Sequence, residues 1–243
     1  MQVIHEVTRK RHILTDIKRK RKMANKEEVL LLDFWVSPFS MKVKIALGEK
    51  GVSYVANEED LFGGKSELLL KSNPIYQKVP VLLHNEKPVL ESSLIVGYID
   101  ETWPTPALLP PCAYGRAQAR FLADYVDKKL FDGIAGIWKN KGEAQEAGKK
   151  ELIEILKVIE GGLGENNFYG GETFGYVDII TIPLFCWLLA AEKFSDFTLE
   201  AEFPKLSGWV KRCMERESVA KNIPDTDKVY EFLVMMRKMH GIE

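Results

Sequence analysis

Residues 29–35 read VLLLDFW, a short and nearly continuous apolar run of the kind a strand buried on both faces carries. Ser37-Pro38 stops it. Pro38 suits the first position of a helix, Ser37 suits its N-cap, and Val43, Ala46 and Leu47 recur at helical spacing up to Gly51. An extended segment at 54–57 completes a strand–helix–strand unit with parallel strands. Residues 66–71 form a polar helical stretch, VPVLLH at 79–84 reads as a strand, and Asn85-Glu86-Lys87 turns the chain toward a short partner at Val89 and Leu90. Leu94, Ile95, Tyr98 and Ile99 then recur at i, i+1, i+4 and i+5, an amphipathic helix that ends near Trp103-Pro104.

The order βαβ then ββα describes a thioredoxin-like domain over residues 27–104. The proline-rich PTPALLPP at 104–111 lacks periodicity, and 105–113 reads as a linker. Beyond it strands disappear. Helical patterns run over 114–138, 143–163 and 177–194, the last with Pro183 expected to kink it. Trp209 and Val210, then Tyr230, Phe232, Leu233 and Met236, supply apolar faces for two further helices. The predicted fold class is therefore α/β plus all-α: a thioredoxin-like domain followed by an all-helical domain over 114–243.

Composition narrows the function. Lys plus Arg total 34 and Asp plus Glu total 35 in 243 residues, so a net charge of -1 gives no global reason to expect a nucleic-acid partner, and small molecules are the expected ligands. The three cysteines, Cys112, Cys186 and Cys213, form no CxxC pair, which argues against a disulfide framework or zinc site and fits a reducing compartment. The longest apolar stretch, 179–191, is shorter than the ~20 residues of a membrane-spanning helix, so a soluble, cytosolic protein without a membrane partner is expected. Residues 1–26 form a basic extension without the apolar core of a secretory signal. Its KRKRK run at 18–22 reads as a solvated tail or as a nuclear-import or polyanion-binding patch, and Met23 offers an alternative start.

Ser37 sits where a strand hands over to a helix, the place where open α/β sheets form ligand crevices. Alone it is a capping serine. The same hydroxyl and positive helix end also favour a thiolate. A thiol with a pKa of ~8.5 is only about 3% ionised at pH 7, and a two-unit shift, worth roughly 2.7 kcal/mol, makes it about three-quarters ionised. A cis bond at Val79-Pro80 would present the Val79 backbone to an extended peptide, whereas a trans bond makes an ordinary turn. Glu91-Ser92 opens a helix as a cap or as a carboxylate site, and Lys65 and Lys78 are solvated lysines or anion partners.

Together these residues are recognisable. LLLDFWVSPFSMKVKIALGEKGV, EEDL, KSNPIYQKVPVLLHNEKPVLESSLIVGYIDETW and RAQARFLADYVDKKLFD occur in that order, and the chain from about Val29 onward resembles the plant tau class of glutathione transferases. The resemblance implies that Ser37 is the catalytic serine, donating to the glutathione sulfur with Phe39 beside it. It implies that Lys65 meets the glycyl carboxylate, that Lys78 belongs to the same site, and that Val79, before a cis Pro80, pairs with the cysteinyl backbone. Glu91 and Ser92 hold the γ-glutamyl end. An electrophile pocket is expected among Phe34, Phe131, Ala135, Trp138 and Trp187, with glutathione as co-substrate and no metal or other cofactor. A homodimer across the two unlike domains is also implied.

Some positions depart from the commoner pattern. Lys42 stands where Arg is more usual, Gln77 where a basic residue is, and Ala135, in place of a larger polar residue, is expected to widen the acceptor site. Asp178 in the GYVD motif is expected to cap a helix and carry no catalytic role. The leading expectation is an enzyme in which a glutathione thiolate attacks hydrophobic electrophiles or peroxides, in detoxification or stress metabolism. The alternative is a carrier of glutathione conjugates or hydrophobic ligands. A thiol oxidoreductase would need cysteine at position 37 to form a mixed disulfide.

Overall fold

A computed structural model describes residues 28–242; the basic extension, with its KRKRK run and Met23, lies outside the described residues. The first half contains β1 (Val29–Asp33), α1 (Pro38–Glu49), β2 (Val55–Glu58), α2 (Glu67–Ser72), β3 (Val81–His84), β4 (Lys87–Leu90) and α3 (Ser92–Thr102). The strands form one sheet in the order β2-β1-β3-β4. β1 and β2 are parallel, while β3 is antiparallel to both β1 and β4. Successive side chains divide between the faces, as a pleated strand requires. Leu31 and Leu82 join Val43, Ile95 and Ile99 of α1 and α3, whereas Leu32, Val81 and Leu83 pack with Leu69 of α2.

β1 ends two residues before the apolar run does. The Phe34 N–H turns to Asp33 Oδ1 at 2.7 Å, the Ser37 N–H closes a turn onto Phe34 O at 2.9 Å, and the Glu59 N–H takes Asp33 O at 2.9 Å. Phe34 and Trp35 therefore leave the sheet. At the hairpin, Asn85 and Glu86 both have positive φ, 49° and 65°, so the loop is two residues with the twist that joins antiparallel strands directly, and β4 begins already at Lys87. Pro88 is tolerated because β4 is an edge strand.

The second half contains α4 (Ala113–Trp138), α5 (Gly142–Leu163), α6 (Tyr176–Ala191), a 3-10 turn (Glu192–Phe194), α7 (Leu199–Glu202), α8 (Pro204–Met214), α9 (Glu217–Ala220) and α10 (Thr226–Met239). α6 is its central helix and is buried on nearly all sides. It runs from Tyr176 to Ala191 with Pro183 inside it. Its start is fixed by Asp178, whose carboxylate accepts from Gly175 N (2.9 Å), Tyr169 N (3.1 Å) and Trp209 Nε1 (2.8 Å). Burial pushes the Asp178 carboxyl up to about 6, against these three donors. Gly175 is needed here because a Cβ would stand 2.7 Å from Leu108 O, which accepts the Tyr176 N–H. The linker is thereby docked onto the start of α6.

The halves share one core, since Leu31, Ile95, Ile134, Ile180 and Trp209 belong to the same cluster. Polar bonds cross the seam as well. Lys42 of α1, fully buried, pairs with Asp127 of α4, which also accepts from Ser93 Oγ of α3. Burial pulls the Lys42 amine below its usual value and Asp127 opposes the shift. Arg216 grips Glu49 with two bonds of 3.1 and 2.6 Å. Among the described residues no helix is long and apolar enough to cross a membrane, and no cluster of three or more potential ligands could hold a metal ion.

Candidate functional site

Ser37 ends the β1–α1 connection with φ -68° and ψ 114°, an extended conformation that lets its side chain fold back over the helix start. Its Oγ accepts from Ser40 N at 3.3 Å. A hydroxyl has two lone pairs and one hydrogen, so this capping bond leaves the O–H available to donate. The amide bond also polarises the oxygen, and the positive end of α1 lies behind it. Ser37 is 8% exposed and borders a cavity of about 430 Å³. What an anion would meet there is one hydroxyl donor aimed from a helix start.

The polar side of this cavity is built by two loops. Lys65 comes from the segment between β2 and α2, and Gln77, Lys78 and Val79 from the segment before β3. The Val79-Pro80 bond is cis. Asn73 Nδ2 donates to Lys78 O at 2.9 Å and fixes that turn. Among the described residues neither lysine ammonium makes a hydrogen bond or an ion pair. Two exposed cations without partners on one cavity wall are an invitation to carboxylates.

The apolar side is a continuous aromatic wall. Phe39 meets Phe131 at 5.3 Å between ring centroids, Phe131 meets Trp187 at 5.3 Å, Trp187 meets Phe232 at 6.0 Å, and Phe232 meets Phe34 at 6.1 Å. Most of these contacts are edge-to-face, the arrangement that ring quadrupoles prefer. Trp187 has a second role, because its indole Nε1 donates to Val36 O at 2.8 Å. This buried bond spans the two domains and holds the residue immediately before Ser37.

Of the residues singled out in the sequence, Ser37, Phe39, Lys65, Lys78 and Val79 border this one cavity, as do Phe34, Phe131 and Trp187. Pro80 is buried directly behind Val79. Glu91 and Ser92 stand at the start of α3, Glu91 exposed with φ 67° as the residue before the helix, and neither borders the cavity. Ala135 and Trp138 do not line it either. α10 covers the end of α4, where Arg237 Nη1 donates to Trp138 O at 2.6 Å, and the Trp138 ring is packed behind Trp187 at 6.2 Å. The small side chain of Ala135, itself buried, therefore opens no space in the wall. Leu61 and Phe232 bound the cavity instead. Phe232 was legible only as one apolar position of α10, but it lies off the buried Val229–Leu233–Arg237 stripe, and that offset was the available signal.

None of the cysteines borders the cavity. Cys112 is the exposed N-cap of α4, and burial pushes the Cys186 thiol up to about 12 and the Cys213 thiol higher still.

Residues 27–101 match the glutathione S-transferase N-terminal domain and residues 114–217 the glutathione S-transferase C-terminal domain. Probable glutathione S-transferase parC of Nicotiana tabacum is 55% identical over 223 residues, which cover 91% of this chain and 100% of that one. Glutathione S-transferase U28 of Arabidopsis thaliana is 54% identical over 219 residues, covering 89% and 97%. A rice transferase structure in complex with glutathione superimposes with a TM-score of 0.85 at 44% identity, over 88% of this chain and 98% of that one. The chain belongs to the glutathione S-transferase family. Its place there is the plant tau class, the class of a mango enzyme whose structure matches with a TM-score of 0.81 at 42% identity, over 86% of this chain and 98% of that one.

Replacing Trp187 by Phe keeps a ring in the wall and deletes the donor to Val36 O. Trp187→Phe is expected to lower unfolding free energy by about 2 kcal/mol, from the unpaired carbonyl and the smaller ring together, as read by urea denaturation.

Proposed function

We propose that Ser37 holds the thiol of glutathione as a thiolate and that the aromatic wall takes the hydrophobic electrophile it attacks. The observation that carries this reading is the Ser37 hydroxyl: its oxygen is occupied by Ser40 N–H, which leaves its hydrogen for the sulfur. Lys65 and Lys78 offer charge to the tripeptide's carboxylates, the Val79 backbone offers main-chain pairing to its cysteinyl unit, and Glu91 with Ser92 would meet the γ-glutamyl end from α3. The latter pair would do so through the open rim, since neither borders the cavity itself.

In conjugation the thiol proton leaves to solvent, the sulfur lone pair forms a bond to the electrophilic carbon, and the leaving group departs with its bonding pair. Glutathione is consumed as co-substrate, and this balance calls for no resident cofactor. The protein contributes anion stabilisation by a fixed donor and proximity between two bound reactants. The same thiolate suits hydroperoxides: the sulfur bonds to one peroxide oxygen as the oxygen–oxygen bond breaks, the alkoxide leaves as an alcohol after taking a proton, and a second glutathione thiol displaces water from the sulfenic acid to give the disulfide. A detoxification role in the cytosol is the setting we propose for this chemistry.

The homodimer is proposed on exposed apolar side chains in both domains. Ile75 is 76% exposed and Tyr76 57% in the first, and Tyr114 is 75% and Phe121 71% in the second. A two-fold pairing of unlike domains would cover both sets at once.

Ser37→Ala is expected to cut the rate of conjugation of a chloronitroarene at pH 7 at least ~20-fold, the ratio of thiolate fractions with and without a two-unit shift. The pH–rate profile should move toward the thiol's own ~8.5 while KM for glutathione changes far less. Undiminished activity in this variant contradicts the assignment. For assembly, sedimentation equilibrium should return twice the chain mass; a single-chain mass contradicts the dimer.

A further inference from the structure

Glu59 is 2% exposed and lies outside the cavity wall. A buried carboxylate is costly unless partnered, and among the described residues Glu59 has no cation within ion-pair distance. Both of its oxygens are instead given to one residue. Oε2 accepts from Ser66 N at 3.0 Å and Oε1 from Ser66 Oγ at 2.7 Å. Ser66 Oγ in turn accepts from Leu69 N at 3.0 Å, so the serine is gripped from one side by Glu59 and caps α2 on the other.

The grip reaches the catalytic strand. The Glu59 N–H donates to Asp33 O at 2.9 Å, at the end of β1 and four residues before Ser37. Residues 59 and 66 therefore pinch a closed loop whose interior is fixed by Asp60 Oδ1, the acceptor for Phe62 N at 3.0 Å and Gly63 N at 2.7 Å. Lys65 is the last residue of that loop before the pinch. Its side chain is long and exposed, so what the protein can preorganise is where its backbone starts.

We infer that Glu59 is a positioning residue for glutathione binding, acting through Ser66 to hold Lys65 at a fixed place relative to Ser37. The inference rests on the reading of Lys65 as the partner of a glutathione carboxylate. An ammonium on a loosened loop still attracts a carboxylate but loses more freedom on binding, and affinity falls accordingly. Chemistry at the sulfur, which belongs to Ser37 and α1, is left alone. Glu59 thus sets glutathione affinity separately from turnover.

The test compares the wild type, Glu59→Gln, Lys65→Ala and the double variant in steady-state conjugation. Glutamine keeps the size of the side chain but removes its charge, so the two charge-assisted bonds to Ser66 become neutral ones even where the new amide N–H donates to the hydroxyl. Glu59→Gln should raise KM for glutathione about tenfold, the difference between charged and neutral hydrogen bonding. Both kcat and the electrophile KM should stay within about twofold. In the Lys65→Ala background the same change should add nothing, because contacts acting through one group are not additive.

An unchanged KM in Glu59→Gln, a rise that multiplies with that of Lys65→Ala, or an equal fall in kcat overturns the inference while leaving the Lys65 assignment in place. A Lys65→Ala variant with wild-type KM sinks the Lys65 assignment, and the inference with it. Should Glu59→Gln not fold, Ser66→Ala carries the same comparison: it keeps the backbone bond and deletes the hydroxyl. A rise in KM that vanishes over Lys65→Ala supports the inference, and its absence overturns it.

Discussion

The hydrogen bond from Trp187 to the carbonyl of Val36 is the constraint on which the site depends. Ser37 owes its position to a strand that ends at Asp33 and a helix that begins at Pro38, with four residues between them, all from the first domain. That junction is short and sharply turned. Among the described residues no backbone donor of the first domain takes the carbonyl of Val36. The second domain supplies the donor from the last third of its most buried helix, with an indole whose ring also forms part of the aromatic wall. One side chain therefore fixes the backbone beside Ser37 and forms part of the aromatic wall of the cavity.

Other polar contacts cross the seam between domains. The Lys42–Asp127 pair, with Ser93 on the same carboxylate, joins α1, α3 and α4. Such a buried pair is weak evidence for stability, because desolvation offsets its attraction. Its value lies in register: a charge on α1 has one place to go on α4, and apolar side chains would permit sliding. The lysine at position 42, unremarkable from sequence beyond being the less common residue there, is one of the largest fully buried side chains in the molecule.

The elements that were legible in the sequence are those set by local pattern. The apolar run of β1, the Ser37-Pro38 stop, the hairpin at 85–87 and the periodic helices follow from neighbours along the chain, and the structure has them within a few residues. β1 stops short of Trp35 because Asp33 captures the next amide, a side-chain bond that a hydrophobicity pattern does not register. The acceptor wall was less legible for the same reason. Phe131 and Trp187 are where an aromatic on an inward helix face should be, but Ala135 and Trp138 lie under α10, whose docking is decided by Arg237 reaching carbonyls at the end of α4. Phe232 enters the wall by that same docking, about 200 residues from its partner Phe34 in the chain. Glu59 was invisible as well, since a glutamate in an EEDL stretch carries no sign of being buried.

In the proposed mechanism the Ser37 hydroxyl and the start of α1 lower the pKa of bound glutathione. The most direct measurement is a spectrophotometric titration of the thiolate of glutathione bound to the wild type and to Ser37→Ala, at saturating glutathione. The bound thiol is expected to ionise near pH 6.5, about two units below the free thiol, and to return most of the way to the free value when the hydroxyl is removed. A bound thiol that titrates near ~8.5 in the wild type, or a lowered value that survives in Ser37→Ala, contradicts this mechanism.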